Sequence, residues 1–342
     1  MGNKCIVFFL TEDTAPTYDG KPLMLQNVLF CPVLNWCIRA WMEKGIERFF
    51  VVCDSEYHDD VMAACPEDAI VAVGTEDTYE TDLAEFAAHC RIEEIHEAML
   101  PVGSMMLSFR TIEELARLQR AAKENIAAYH QRTRVNILDP DNTYIDPRVT
   151  IAPGTTILPG TILKGNTVIG ENCTIGPNTV ITDCIIGNNT EVNASQVTES
   201  FLGEEVHVGP YAHIRPHCHV GDRCTIGACV EIKIAVFGED TKLSHLTYVG
   251  DSDVGSRVNF GCGTITSNYD GFKKSRTVIE DDAFIGCNTN LVPPVTVGKG
   301  AYIAAGTTVT KNVEPDALAI GRIRQENKNG WAKLRREIYG KK

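Results

Sequence analysis

No stretch of this 342-residue chain approaches the roughly 18 consecutive apolar residues that a membrane-spanning helix needs. The apolar run 5–10 (CIVFFL) is also too short for the core of a secretory signal, so the sequence reads as cytoplasmic, with no membrane partner. A basic excess is missing too. The formal net charge of −13 argues against nucleic acid as a main partner, because phosphate backbones select a basic face. Only the tail 322–342 is locally basic. The compact, cysteine-dense pattern of a disulfide-stapled secreted domain is absent: thirteen cysteines are scattered through a long chain. They are expected to be free thiols acting as small buried hydrophobes. Hydrophobic residues at 44% and charged residues at 23% are ordinary globular values, and the length allows two cores.

Two grammars divide what is present. Residues 1–130 read as α/β. CIVFFL, RFFVVCD (48–54) and AIVAVG (69–74) look like buried strands, while 32–45 and 111–129 carry helical spacing. Their alternation predicts a small, partly parallel sheet. From about Val135 the helical patterns vanish and an apolar residue returns every six positions: Ile151, Ile157, Leu163, Ile169, Ile175 and Ile181. The same holds for Val208, Ile214, Val220, Ile226 and Ile232, and from Ile279 through Ile285, Leu291, Val297 and Ile303 to Val309. A six-residue repeat implies a short strand plus a turn, three to a triangular coil, with glycine or asparagine supplying the turns. The expected division is thus an α/β domain (1–130), a parallel β-helix (135–320) and a basic C-terminal helix or tail (321–342). The last is read either as a cap on the final coil or as a source of phosphate contacts.

Chemistry on a solenoid concentrates where the repeat is interrupted. The longest interruption is SNYDGFKKSRT (267–277), and Arg215, Glu231, Lys233, His245, Tyr248 and Asn259 lie in others. Guanidinium and ammonium groups neutralise a phosphate, amide and phenol groups bond sugar hydroxyls, and an imidazole takes a proton near neutrality.

The run 245–271, HLTYVGDSDVGSRVNFGCGTITSNYDG, resembles the acetyltransferase site of the bifunctional glucosamine-1-phosphate N-acetyltransferase/N-acetylglucosamine-1-phosphate uridyltransferase family. VTVGKGAYIAAGTTVT and ALAIGRIRQ extend the similarity over residues 138–331. The resemblance implies a left-handed β-helix, a homotrimer, and acetyl transfer from acetyl-CoA to an amino-sugar phosphate on the way to UDP-N-acetylglucosamine. It also implies His245 as general base, Glu231 and Asn268 as aids to amine and base, and Arg215, Lys233, Tyr248 and Asn259 on the sugar phosphate. Cys262, Asn268, Tyr269, Cys287, Ala305 and Arg322 fall on acetyl-CoA positions, with no metal required. Cys262 stands where alanine is common and Cys287 where serine is common. A covalent route through either thiol needs an activating partner that the sequence does not show.

The family's N-terminal half opens on a glycine-rich phosphate loop; here the first strand runs into TEDTAPTYDGKP, and the domain is much shorter. Uridylyl transfer is therefore expected to be absent. Two rivals stand beside this reading. His213, His217 and His219 suggest a γ-carbonic-anhydrase-like zinc site, and the short first domain suggests a non-catalytic module that binds a sugar nucleotide.

Overall fold

A computed structural model describes residues 4–11, 17 and 19–340. The strands expected near 5–10, 48–54 and 69–74 form at Lys4–Phe9, Arg48–Val52 and Ile70–Gly74, joined by a fourth, Arg91–Ile95, that periodicity did not single out. All four run parallel, in the order Ile70–Gly74, Arg48–Val52, Lys4–Phe9, Arg91–Ile95. The first strands read as continuous apolar runs because both faces are covered. Ile6, Phe8, Phe49 and Val51 enter one core, while Cys5, Val7, Phe50 and Val52 enter the other. The helix expected over 32–45 spans Val33–Met42 and buries Leu34, Cys37 and Ile38.

The helix Ile112–Arg132 links the two architectures. Thr111 caps it, its hydroxyl accepting from the Glu114 N–H at 3.2 Å. Leu115 and Ala122 pack into the sheet's core, and Ala127, farther along, joins the core of the β-helix. A solenoid needs such a cover on its first coil. His130 in the last turn is buried, with no hydrogen-bond partner for Nδ1 among the described residues, and burial pushes its imidazole down to about 4. The unfolded chain takes up this proton near pH 6.5, whereas the native chain refuses it until about pH 4. Stability is therefore expected to fall as pH drops through that window, by at most about 1.4 kcal/mol per unit. His130→Leu should flatten this slope, read as urea midpoints at several pH values; an unchanged slope would place the effect elsewhere.

From Asn136–Ile137 to Leu318–Ala319 the chain winds as a left-handed parallel β-helix. Ile151 pairs with Ile169 in the coil above, Ile157 with Ile175 and Leu163 with Ile181. Every residue of the three six-residue runs points inward, none more than 5% exposed. Between runs, some rungs lose one residue, as from Ile181 to Ile186 and from Ile232 to Phe237, and the inward column continues through Ile186, Val192, Val197 and Leu202.

The glycines do two jobs. Gly154, Gly160 and Gly165 supply left-handed turns as expected, whereas most of those after the aliphatic residue, Gly176 and Gly209 excepted, keep ordinary φ and are required for close stacking: a Cβ on Gly187 would lie 2.5 Å from the Gly203 carbonyl carbon. The left-handed turn residues follow them, among them Asn172, Asn189, Arg223 and Asp240.

The C-terminal segment does form a helix, Trp331–Tyr339. All its residues are exposed, Trp331 and Leu334 included, so in the single chain it does not cap the last coil. Among the described residues no helix is long and apolar enough to cross a membrane.

Candidate functional site

The strand Lys242–His245 ends at a corner of the β-helix, where Leu246 takes a left-handed conformation. Thr247 fixes that corner by donating its hydroxyl to the His245 carbonyl at 2.7 Å. Ala228 lies directly beneath His245, and so small a neighbour leaves the imidazole exposed.

Past the corner, Glu231 pairs with Tyr248 and Lys233 with Gly250 on the next face. Strand alternation turns Ile232 inward and leaves Glu231 and Lys233 outward. Arg215, one coil below, donates from Nη1 to Glu231 at 2.9 Å. Gly250 has a local purpose here. A Cβ would fall 2.4 Å from the Tyr248 hydroxyl and 3.0 Å from the Asn268 amide nitrogen, so glycine lets these two groups converge over the backbone.

The interruption at 267–277 folds as an exposed hairpin. Tyr269 bridges Lys274, and the Ser275 N–H donates to the Asn268 carbonyl at 2.9 Å. Asp270 closes the tip by accepting from the N–H groups of Phe272 and Lys273, both at 2.8 Å, which hold its carboxyl below the usual carboxylate range. Arg276 anchors the return strand with a fork onto Asp253 and a bond to the Ser252 carbonyl at 3.0 Å.

Two residues that the sequence reading missed enter the cluster this way. Lys274 stands against Lys233, and side-chain hydrogen bonding between the two amines, then like-charge repulsion, pulls Lys233 below its ordinary value. Asp251, buried at 8% exposure, accepts from the Asn268 amide and partly offsets the repulsion at Lys233. The acids of GDSD were the available signal, but nothing in the sequence says that Asp251 meets Asn268 while Asp253 takes Arg276.

A second set gathers on the corner above His245. Leu243 pairs with Phe260 and Phe260 with Ile285. Carried two residues on, that register stacks His245, Cys262 and Cys287 in one column. A main-chain bond supports the upper step, Asn288 N–H to Cys262 carbonyl at 2.8 Å, while Gly263 N–H donates to the Leu246 carbonyl, next to His245, at 2.9 Å. Ala305 continues the column, with Gly306 N–H donating to the Cys287 carbonyl at 2.8 Å. The Arg322 side chain lies 3.6 Å from where a Gly306 Cβ would be. Four expected acetyl-CoA positions, Cys262, Cys287, Ala305 and Arg322, therefore share one corner. Tyr269 stays apart on the hairpin, its hydroxyl donating to the Gly271 carbonyl.

Asn259 does not join the sugar-phosphate cluster within one chain. It lies between Lys242 and Phe284 on another face. The three histidines do not converge either. His213 pairs with Glu231, His217 occupies a left-handed turn, and His219 stacks on Phe201 in a different ladder at 4.5 Å. Among the described residues no group of three or more His, Cys, Asp or Glu is placed to hold a metal. A groove of about 440 Å³ opens beside Val236, Val254, Glu280 and Lys299 and includes none of the expected site residues.

Comparison with known proteins follows this geometry. Residues 199–233 and 276–311 match the model of the bacterial transferase hexapeptide family (six repeats), and 136–211 match the GMPPB C-terminal domain. Over 218 residues the chain is 58% identical to the bifunctional protein GlmU of Oceanobacillus iheyensis, covering 64% of this chain and 48% of that protein. Over 251 residues it is 46% identical to the GlmU of Clostridium perfringens, covering 72% and 55%. The chain thus spans about half the length of the curated relatives it matches. Among solved structures, the UDP-N-acetylglucosamine acyltransferase from Campylobacter jejuni aligns with a TM-score of 0.31 and 14% identity, over 55% of this chain and 70% of that one.

Proposed function

We propose that this chain, whose β-helical part is related by sequence to the bifunctional protein GlmU, is an acetyl-CoA-dependent N-acetyltransferase acting on glucosamine-1-phosphate. The observation that carries the acceptor class is the cation pair of Lys233 and Lys274, only partly offset by Asp251, beside the Arg215–Glu231 ion pair. Two ammoniums held together in the free protein are a seat for a dianion, and a sugar phosphate relieves their repulsion on binding. His245, on the adjoining corner, takes the proton from the acceptor's ammonium group. The freed amine attacks the thioester carbonyl of acetyl-CoA laid along the Cys262–Cys287–Ala305 corner, and coenzyme A leaves as its thiol. Asn268 stands with the cationic set, its amide near Tyr248 and bonded to Asp251.

Asn259 faces away from the cluster it is expected to complete, so the reading requires another copy of the chain. A homotrimer with sites between protomers supplies it, and an open cluster on one protomer suits that arrangement. The α/β domain is proposed to lack uridylyl transfer. Of its expected loop, residues 12–16 and 18 lie outside the described residues, so this proposal rests on the sequence.

Lys233→Ala should raise the KM for the sugar phosphate by about ten- to a hundredfold, the loss of one charge-assisted hydrogen bond worth about 1.5–3 kcal/mol. The KM for acetyl-CoA should change little. Initial rates with each substrate varied separately check this; equal effects on both would remove Lys233 from the phosphate seat. An inert wild type that still bound the sugar phosphate would favour the non-catalytic module.

A further inference from the structure

Thirteen cysteines are distributed very unevenly between inert and reactive surroundings. Burial pushes the thiols of Cys5, Cys53, Cys184 and Cys224 up to about 11, and those of Cys31 and Cys65 to about 12. Such thiols do not exchange readily. Two pairs in the α/β domain lie near each other, Cys5 with Cys90 and Cys53 with Cys65, but one member of each is buried. Cys229 is exposed without a thiol next to it: one position round the corner from the column, it is followed in the coils above by Leu246 and Gly263. Cys262 and Cys287 differ on both counts. Cys287 is exposed and Cys262 partly so, both are free, and they occupy the same corner position in successive coils.

The spacing of the coils decides what such a pair can do. Parallel neighbours lie about 4.8 Å apart, inside the 4.4–6.8 Å range of Cα separations that a disulfide spans. The Gly261–Cys262 and Gly286–Cys287 corners are packed backbone on backbone: a Cβ on Gly261 would lie 2.4 Å from the Cys287 nitrogen. The two side chains leave that packed edge in the same direction, from the same position of the coil. His245 below and Ala305 above complete the column, so the thiols lie within the expected acetyl-CoA seat, above the expected base.

We infer that Cys262 and Cys287 form a thiol-modification site, closed across the coils as a disulfide by a low-molecular-weight disulfide, which switches off the acetyl-CoA seat. The exposed Cys287 thiolate attacks one sulfur of the oxidant, forming a mixed disulfide and releasing one equivalent of small thiol. Cys262 then attacks the Cys287 sulfur, the protein disulfide forms, and the second small thiol leaves. Two protein thiols are oxidised, one small disulfide is reduced, and the two thiol protons end on the two released thiols. The inhibitory consequence, unlike the disulfide itself, rests on the proposed acetyl-CoA site.

The test is to treat the reduced full-length protein with oxidised glutathione and map its peptides by mass spectrometry under non-reducing conditions. A cross-link joining the Cys262 and Cys287 peptides, lighter by two hydrogens and cleaved by dithiothreitol, is expected. Cys229→Ala should retain that cross-link, whereas Cys262→Ala should leave only a glutathione adduct on Cys287. Oxidised wild type should lose at least tenfold in kcat/KM for acetyl-CoA and regain it with dithiothreitol, while oxidised Cys287→Ala keeps its own reduced rate. Glutathione on Cys287 with Cys262 still free, or neither thiol modified, would overturn the disulfide. A cross-link with undiminished acetyl transfer would overturn the switch. A reduced protein that transfers no acetyl group would sink the proposed function, and the peptide map would still decide the disulfide.

Discussion

Replacing His245 by alanine is expected to lower kcat for acetyl transfer by about 10²- to 10⁴-fold, the usual contribution of a positioned general base. An ammonium group cannot attack a thioester, and His245 is the imidazole on the corner between the cationic cluster and the column holding Cys262 and Cys287. No hydrogen bond among the described residues engages its ring, and Ala228 beneath it offers no competing polar group. The loss should fall on kcat, with KM for acetyl-CoA changing by no more than about twofold, because a proton acceptor acts in the transition state. The fold should survive, since the side chain is exposed. Coenzyme A release followed with a thiol reagent, alongside circular dichroism of the variant, separates these effects. A folded variant keeping half the wild-type rate would place the base elsewhere.

Ile232→Ala is expected to cost about 2–5 kcal/mol. Ile232 is fully buried, with Ile214 below and Val249 above in the inward column. Neighbouring rungs are tied by ladder hydrogen bonds and cannot collapse into the cavity, which places the cost in the upper part of that range. At roughly 2–4 °C per kcal/mol for chains of 150–250 residues, the melting temperature should fall by about 8–20 °C. Glu231 and Lys233 flank this residue, so the KM for the sugar phosphate should rise as well. Thermal unfolding followed by circular dichroism measures the first effect. A shift under about 2 °C would mean that the coils repack far more freely than this column implies.

Much of this fold was legible because one physical signal repeats. Each inward residue of the three six-residue runs is buried, since a triangular coil has no other place for it. The runs broke where a rung lost one residue, as from Val192 to Val197, or where Phe237 replaced the usual aliphatic side chain, and a fixed period cannot follow such steps. In the site, the HLTY and NYDG segments pointed to His245, Tyr248, Asn268 and Tyr269. Their neighbours were hidden. Lys274 reaches Lys233 only because the hairpin folds back, and Cys262 reaches Cys287 only because that same insertion sets their distance in sequence. The openness of the cluster was equally hidden: Asn259 falls on another face, and the helix Trp331–Tyr339 stays exposed.

The central claim is acetyl transfer to an amino-sugar phosphate on this β-helix. Its most direct test is to incubate the full chain with acetyl-CoA and glucosamine-1-phosphate, measuring coenzyme A released and N-acetylglucosamine-1-phosphate formed. Equimolar release and product, with no UDP-N-acetylglucosamine on adding UTP, is the predicted result. No coenzyme A release with glucosamine-1-phosphate, or with any other amino-sugar phosphate, would contradict it.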